Sequence, residues 1–302
     1  MRDAFDRPIN SLRISVTQKC NFNCFFCHQE GEHDSGKEMS LEEITEVVKL
    51  ASNSGIRKIK LTGGEPLIRD DIVDIVRSIS PMVDEVSMTT NASLLEGKAC
   101  DLREAGLARV NISLHTLKPS TFQRITASDY EIQVKRGIEE ALRCGLSPVK
   151  LNMVVMKSIN SEEISDLIEY SIETGAILQL IEFQELENGS KYYDEFHYDL
   201  NEIEDYLEEK SKKVLKRALH HRKVYHLENG AKVEVVRPMH NSEFCAYCTR
   251  LRLTSDGKLK ACLMRDDNLV SFVDLIRSGE SHEKQLEAFK EAISRREPYW
   301  RE

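Results

Sequence analysis

Nowhere in the 302 residues is there a run of about 18 apolar side chains, the minimum for a membrane-crossing helix. The opening segment Met1-Arg2-Asp3-Ala4-Phe5-Asp6 has no apolar core of a signal peptide, so a soluble, cytoplasmic chain without a membrane partner is expected. Positive charge is also scarce: 42 Lys and Arg face 51 Asp and Glu, a formal net charge of -9. Binding along a phosphate backbone needs clustered cations that release counterions. That excludes a nucleic-acid coat and leaves room for a small anionic ligand. Internal repeats, low-complexity tracts and long linkers are missing as well. The length allows one large domain, or a large and a small one, and either buries a core without disulfide staples.

What is present is cysteine, eight residues in a pattern that is not random. Cys20, Cys24 and Cys27 form one knot, and Cys245, Cys248 and Cys262 form another. In a reducing compartment such spacing points to ligands or catalysts rather than disulfides. Cys100 and Cys144 stand apart within helical stretches and read as packing residues.

From residue 12 to 183 the chain repeats a short β-branched run, a turn and an amphipathic helical stretch. The runs 12–17, 58–62, 85–89, 109–114, 149–155 and 177–183 predict six strands. Between them, Ser40 with Glu43 makes a capping box before Ile44, Val47, Val48 and Ala51, and Gly55 ends that helix. Gly106, Gly145 and Gly175 end later helices in the same way. Strand and helix in alternation demand right-handed parallel crossovers. Six units fall short of the eight of a closed TIM barrel, so the expected class is α/β, an open partial (β/α)6 TIM-like barrel. Beyond about residue 216 the pattern changes to two hairpins, 224–227 with 232–236 and 251–254 with 258–262, and a charged helix over 280–296. The expected division is a barrel over 1–216 and a small C-terminal unit over 217–302 that carries the second knot.

The first knot, Cys20-Asn21-Phe22-Asn23-Cys24-Phe25-Phe26-Cys27, directly follows a strand. Three thiolates on one loop suit a soft metal centre. A structural zinc site wants a fourth ligand, for which His28 and His33 are the nearest candidates. A three-cysteine iron-sulfur cluster instead leaves one iron open to a small molecule, which is a catalytic arrangement. After the second strand comes Gly63-Gly64-Glu65-Pro66, whose glycines allow close backbone approach; by itself it also reads as a turn with Pro66 opening a helix. The second knot runs Cys245-Ala246-Tyr247-Cys248-Thr249-Arg250-Leu251-Arg252-Leu253-Thr254, with Cys262 beyond. It too lacks an obvious fourth cysteine, and His240 would complete a zinc site. Arg250 and Arg252 alternate along a strand, so their guanidinium forks share a face that can hold phosphates. Arg13, Lys60 and Lys150 occupy positions from which they can join them.

The first knot and the Gly-Gly-Glu-Pro turn together resemble the radical S-adenosylmethionine enzymes. The resemblance implies a [4Fe-4S] cluster on Cys20, Cys24 and Cys27, with S-adenosyl-L-methionine on its open iron. It implies Phe26 beside the adenine and further cofactor contacts from Gly63, Gly64, Glu65, Pro66 and Ser113. The second knot with its Arg-Leu-Arg is similar to the auxiliary-cluster region of those radical enzymes that serve molybdenum cofactor biosynthesis and act on GTP. That similarity covers about residues 12–264. It implies a second [4Fe-4S] cluster on Cys245, Cys248 and Cys262, with Arg13, Lys60, Thr90, Lys150, Arg250, Leu251 and Arg252 holding GTP. Arg250 and Arg252 are carried over as part of the catalytic site. Hydrogen would leave the ribose C3' and that carbon would close onto C8 of guanine. A low-potential electron donor and a downstream cyclic pyranopterin monophosphate synthase are implied partners, and a homodimer is compatible with the resemblance.

Departures are visible too. Gln179 and Gln184 stand where many relatives carry arginine and methionine, and the chain ends Tyr299-Trp300-Arg301-Glu302 without two terminal glycines. Arg237 and Arg265 are candidates for the basic role of that tail. His220-His221 reads as a solvated turn, His115 as structural, and Asn91 as a strand-end residue within reach of a ligand. The runner-up reading is a radical enzyme modifying a peptide, against which Arg250-Leu251-Arg252 argues. An iron-sulfur electron carrier or a zinc-stabilised scaffold would close its coordination shells.

Overall fold

β-Branched runs that alternate with amphipathic helices resolve, in this computed structural model, into parallel strands joined by helical crossovers; the structure describes residues 1–32 and 37–301. The strands β1 (Ser11–Ser15), β2 (Lys58–Thr62), β3 (Glu85–Thr90), β4 (Leu107–Ser113), β5 (Lys150–Val155) and β6 (Ile177–Glu182) pair in parallel, each with the next. On the outside lie α1 (Leu41–Asn53), α2 (Ile72–Ile79), α3 (Ala99–Glu104), α4 (Pro119–Thr126), α5 (Glu131–Arg143) and α6 (Ile164–Thr174). The expected capping box is formed: Ser40 Oγ accepts from the Glu43 N–H at 3.2 Å and Glu43 Oε2 accepts from the Ser40 N–H at 2.9 Å. Ile44, Val47, Val48 and Ala51 of α1 are buried against the sheet, and Gly55, at φ 91°, follows its C-cap.

After α7 (Tyr193–Phe196) and α8 (Asn201–Glu209) come six further strands: β7 (Ser211–Lys216), β8 (Lys223–Leu227), β9 (Lys232–Val236), β10 (Arg250–Leu253), β11 (Lys258–Lys260) and β12 (Val270–Ser271). Both expected hairpins form, and both join the main sheet. β9 pairs with β6 and β10 with β1, each in parallel, giving one sheet in the order β12-β11-β10-β1-β2-β3-β4-β5-β6-β9-β8-β7. The physical reason is the open barrel itself, whose two edge strands present unpaired N–H and C=O groups that the hairpins satisfy. Ser211–Lys216 was not legible as a strand because its residues are mostly exposed and lack alternation. The short α9 (Ser242–Ala246) carries Cys245, and α10 (Val273–Arg277) with α11 (His282–Ser294) closes the chain, α11 matching the expected tail helix.

One expectation is overturned. Cys100 in α3 and Cys144 at the end of α5 are joined as a disulfide, with Cα atoms 5.0 Å apart and 44 residues between them. α3 and α5 pack side by side, and Gly137 of α5 admits the segment before α3, since a Cβ there would lie 2.3 Å from the Ala92 carbonyl. Nothing local in either helix announces that neighbour. No helix among the described residues is long and apolar enough to cross a membrane.

Candidate active site

The loop after β1 carries the first knot, and its path is set by the turn after β2. The Gly64 and Glu65 N–H groups donate to the Thr17 and Lys19 carbonyls at 2.7 and 2.8 Å. A Cβ on Gly63 would lie 2.2 Å from the Thr17 carbonyl oxygen, and one on Gly64 2.2 Å from that of Lys19. The glycines therefore serve backbone approach to the knot's own loop. The Glu65 carboxylate is wholly buried and accepts from the Leu67 and Asn91 N–H groups and from Thr90 Oγ1. Burial raises it to about 7. Asn91 donates its amide to Asn21, so the end of β3 braces the cysteine loop.

Cys20, Cys24 and Cys27 open onto a cavity of about 380 Å³, and Cys245, Cys248 and Cys262 face the same cavity. All six are free thiols. Burial pushes Cys20 up to about 11 and raises Cys24 and Cys27 as well. Phe26 meets Phe25, His115 and Phe183 edge-on, which gives the first knot an aromatic wall. His115 is held near 4 by burial and accepts from the Val154 N–H, so it is a neutral brace. The second knot sits differently. Burial opposes ionisation of Cys248, but the Arg296 and Arg250 charges outweigh it and lower the thiol. Asp3 binds Arg7 at 2.8 Å and Arg296 at 2.7 Å, and these arginines donate to the Cys245 and Cys248 carbonyls at 2.9 and 2.7 Å. The Trp300 N–H donates to Cys245 Sγ at 3.4 Å.

Between the knots the barrel interior is cationic. Register sets Arg252, Arg13 and Lys60 side by side on β10, β1 and β2, and their side chains face inward. Glu30, in the left-handed region at φ 55°, bridges Arg13 and Arg252, the latter at 2.7 Å. Although burial opposes it, those guanidiniums hold the Glu30 carboxyl well below its usual range. Lys60 donates to Asn111 Oδ1 at 2.8 Å, and burial together with Arg109 and Arg13 lowers it strongly. Among the described residues Arg250 has no ion-pair partner.

Of the residues singled out in the sequence, the six cysteines, Arg13, Phe26, Lys60, Gly63, Gly64, Thr90, Ser113, Lys150, Arg250 and Arg252 line the cavity. Glu65, Pro66 and Leu251 do not; they are buried in the scaffold beside it. Arg237 pairs with Glu204 and Arg265 with Asp267 and Glu297; neither arginine lines the cavity, whereas Glu297, Tyr299 and Trp300 do. His220 is 6% exposed and stacks on Phe244, which corrects the solvated turn. Glu30, Arg109, Arg217, Arg222 and Glu234 were missed, since a lone charge in a loop or strand resembles any surface charge.

For zinc, His28 spends Nδ1 on the Glu30 N–H and His33 lies outside the described residues. Tetrahedral zinc with 2.3 Å bonds needs sulfurs about 3.8 Å apart. Among the described residues neither knot brings its three sulfurs within 4.8 Å of one another. Wider spacing with three ligands suits a four-iron cluster with an open corner better.

The chain is similar to known proteins over nearly its whole length. Residues 14–171 match the Radical SAM superfamily and residues 176–302 match Molybdenum Cofactor Synthesis C. The chain is 50% identical over 305 residues to a protein of Thermococcus kodakarensis named probable GTP 3',8-cyclase, with 99% of both chains covered. It is 48% identical over 306 residues to one of Methanothermobacter marburgensis bearing the same name, again with 99% of both covered. Among solved structures, Streptococcus suis SuiB bound to S-adenosylmethionine superposes with a TM-score of 0.68 at 17% identity. That match covers 89% of this chain and 65% of SuiB, a likeness of fold.

Proposed function

The chain belongs to the Radical SAM superfamily and continues into the Molybdenum Cofactor Synthesis C family, and from this premise we infer that it is a radical enzyme acting on GTP. The reaction is conversion of GTP to (8S)-3',8-cyclo-7,8-dihydroguanosine 5'-triphosphate, the first step of molybdenum cofactor biosynthesis. The observation that carries this reading is one cavity with a cysteine triplet on each side and a buried cationic floor between them.

Cys20, Cys24 and Cys27 would hold one [4Fe-4S] cluster, and Cys245, Cys248 and Cys262 a second. Held by the first triplet with S-adenosyl-L-methionine and given an electron by an external reductant, the cluster would supply the radical chemistry that removes hydrogen from the ribose. The protein's part is orientation and exclusion. Phe26 would lie against the adenine, and Ser113 and Gly64 line the same cavity. The Phe25, Phe26 and Phe183 wall keeps water and other hydrogen donors away. Arg13, Lys60, Lys150, Arg250 and Arg252 hold the triphosphate. Arg13 and Arg252 are pre-aimed by Glu30, which the phosphates must outcompete. A peptide substrate would not need this floor.

A low-potential reductant, a downstream cyclic pyranopterin monophosphate synthase, a homodimer and a cytoplasmic setting belong to the same reading. Anaerobic incubation of the reconstituted protein with S-adenosylmethionine, dithionite and GTP tests it. Mass spectrometry should find 5'-deoxyadenosine together with an isomer of GTP. Deoxyadenosine without the isomer would overturn the substrate.

A further inference from the structure

The six-residue connection between β7 and β8 brings two unassigned arginines to the cavity. Arg217 opens it and Arg222 closes it, the Arg217 N–H donating to the Arg222 carbonyl at 2.9 Å. Both reach Glu234 on β9. Arg217 Nη1 lies 3.2 and 3.4 Å from its carboxylate oxygens and Arg222 Nη2 lies 3.2 Å away, while Lys150 of β5 pairs with the same carboxylate. Glu234 is wholly buried, and the Lys150 and Arg222 side chains are only 6% and 10% exposed. Three cations on one buried carboxylate leave positive charge uncompensated, and Lys150 and Arg222 carry theirs in a low-dielectric wall, which an ion-pair network built for stability would avoid. Arg222 Nε is also buried without a partner. A multiply charged anion would complete this set.

The place fits such an anion. Arg217, Arg250 and Lys60 stand between the main cavity and a smaller one of about 180 Å³, which opens among Ser11, Lys58 and Glu85 at the starts of β1, β2 and β3. The first cysteine loop follows β1 at its other end, whereas Cys245 and Cys248 precede β10, whose start pairs with that of β1. A substrate with its ribose toward the first cysteine loop would direct its phosphates away from that loop, toward these cations.

The connection is also held firmly. The His220 N–H donates to the Tyr247 carbonyl at 2.9 Å, and the ring stacks on Phe244 with centroids 3.8 Å apart. His220 and His221 sit in the left-handed region at φ 61° and 49°, a cost that this docking offsets. Phe244 and Tyr247 flank Cys245, so the segment that carries the second knot braces the two arginines.

We propose that Arg217 and Arg222 grip the outer phosphates of the nucleotide and make this connection the element that selects a triphosphate over shorter phosphate tails. The proposal deepens the GTP reading above and rests on it. Isothermal titration of the reconstituted protein with GTP, GDP and GMP, anaerobically and without reductant, tests it. Replacing the half-exposed Arg217 (Arg217→Ala) should weaken GTP by about 10- to 150-fold, the worth of one charge-assisted contact, and change GMP less than threefold. Arg222→Lys, which keeps the charge and loses the fork, should fall between wild type and Arg222→Ala. Equal losses for GTP and GMP, or unchanged GTP affinity in Arg217→Ala, overturn the proposal. Failure of the underlying reading looks different: the unmodified protein itself would then bind no guanine nucleotide, and the proposal would fall with it.

Discussion

The two cysteine knots have the same number of thiols and opposite construction. The first lies on one loop, Cys20 to Cys27, and its surroundings are mostly aromatic and uncharged. Its thiols are raised by burial. The second is assembled from distant pieces: Cys245 and Cys248 near α9, Cys262 after β11, Asp3 and Arg7 at the start of the chain, and Arg296 with Trp300 at its end. There, guanidiniums lower a thiol that burial alone would raise. A knot in an apolar wall suits guarding a radical, and a knot beside fixed positive charge suits holding an anionic nucleotide.

The sharpest test of this difference removes one thiol from each knot. Cys24→Ala should abolish 5'-deoxyadenosine formation altogether. Cys248→Ala should keep deoxyadenosine formation and lose the GTP isomer, as liquid chromatography with mass spectrometry would register. Loss of both products in both variants would erase the division of labour. Next in size is Asp3→Asn, which leaves Arg7 and Arg296 buried without their carboxylate. Stability should fall by about 3 to 5 kcal/mol in denaturant unfolding, and bound iron should drop from about eight to about four per chain. Retention of all the iron would show that the second knot does not depend on the chain ends.

The Cys100–Cys144 disulfide belongs to neither knot. Replacing both residues by serine should cost up to about 4 kcal/mol for a crosslink spanning 44 residues, read as a shift in denaturation midpoint, with iron content unchanged. A smaller effect is expected at the cationic floor. Lys150 is lowered to about 8 by burial, with Glu234 opposing and Arg217 adding to the shift. Below pH 8 it is already charged, so GTP affinity should not vary through this residue. Above pH 8 binding must take up a proton, and affinity should weaken by up to about 1.4 kcal/mol per pH unit. Titration in buffers of different ionisation enthalpy measures that uptake, and Lys150→Arg should remove it.

Much of the fold was legible because its signals are local. The Ser40 and Glu43 capping box, the glycines after helices and the β-branched runs are each readable within a few residues, and the six parallel strands follow from them. The strand at Ser211–Lys216 was not legible, because exposed Lys-rich sequence has no alternation to read. Within the site, the cysteines and Arg250-Leu251-Arg252 stood out by spacing. Glu30, Arg217, Arg222 and Glu234 did not, since each acts through residues far away in the chain.

The sequence by itself determined the order of the six barrel strands and their helices and the two cysteine triplets, because these patterns are spacings along the chain. Only the tertiary structure decided that both hairpins complete the edges of one sheet, that two cysteines from neighbouring helices meet, and that six scattered cations pair with three carboxylates, Glu30, Glu85 and Glu234. The reason is that hydrogen-bonding edges, sulfur pairing and uncompensated charge are properties of neighbours in space, and burial sets their strength.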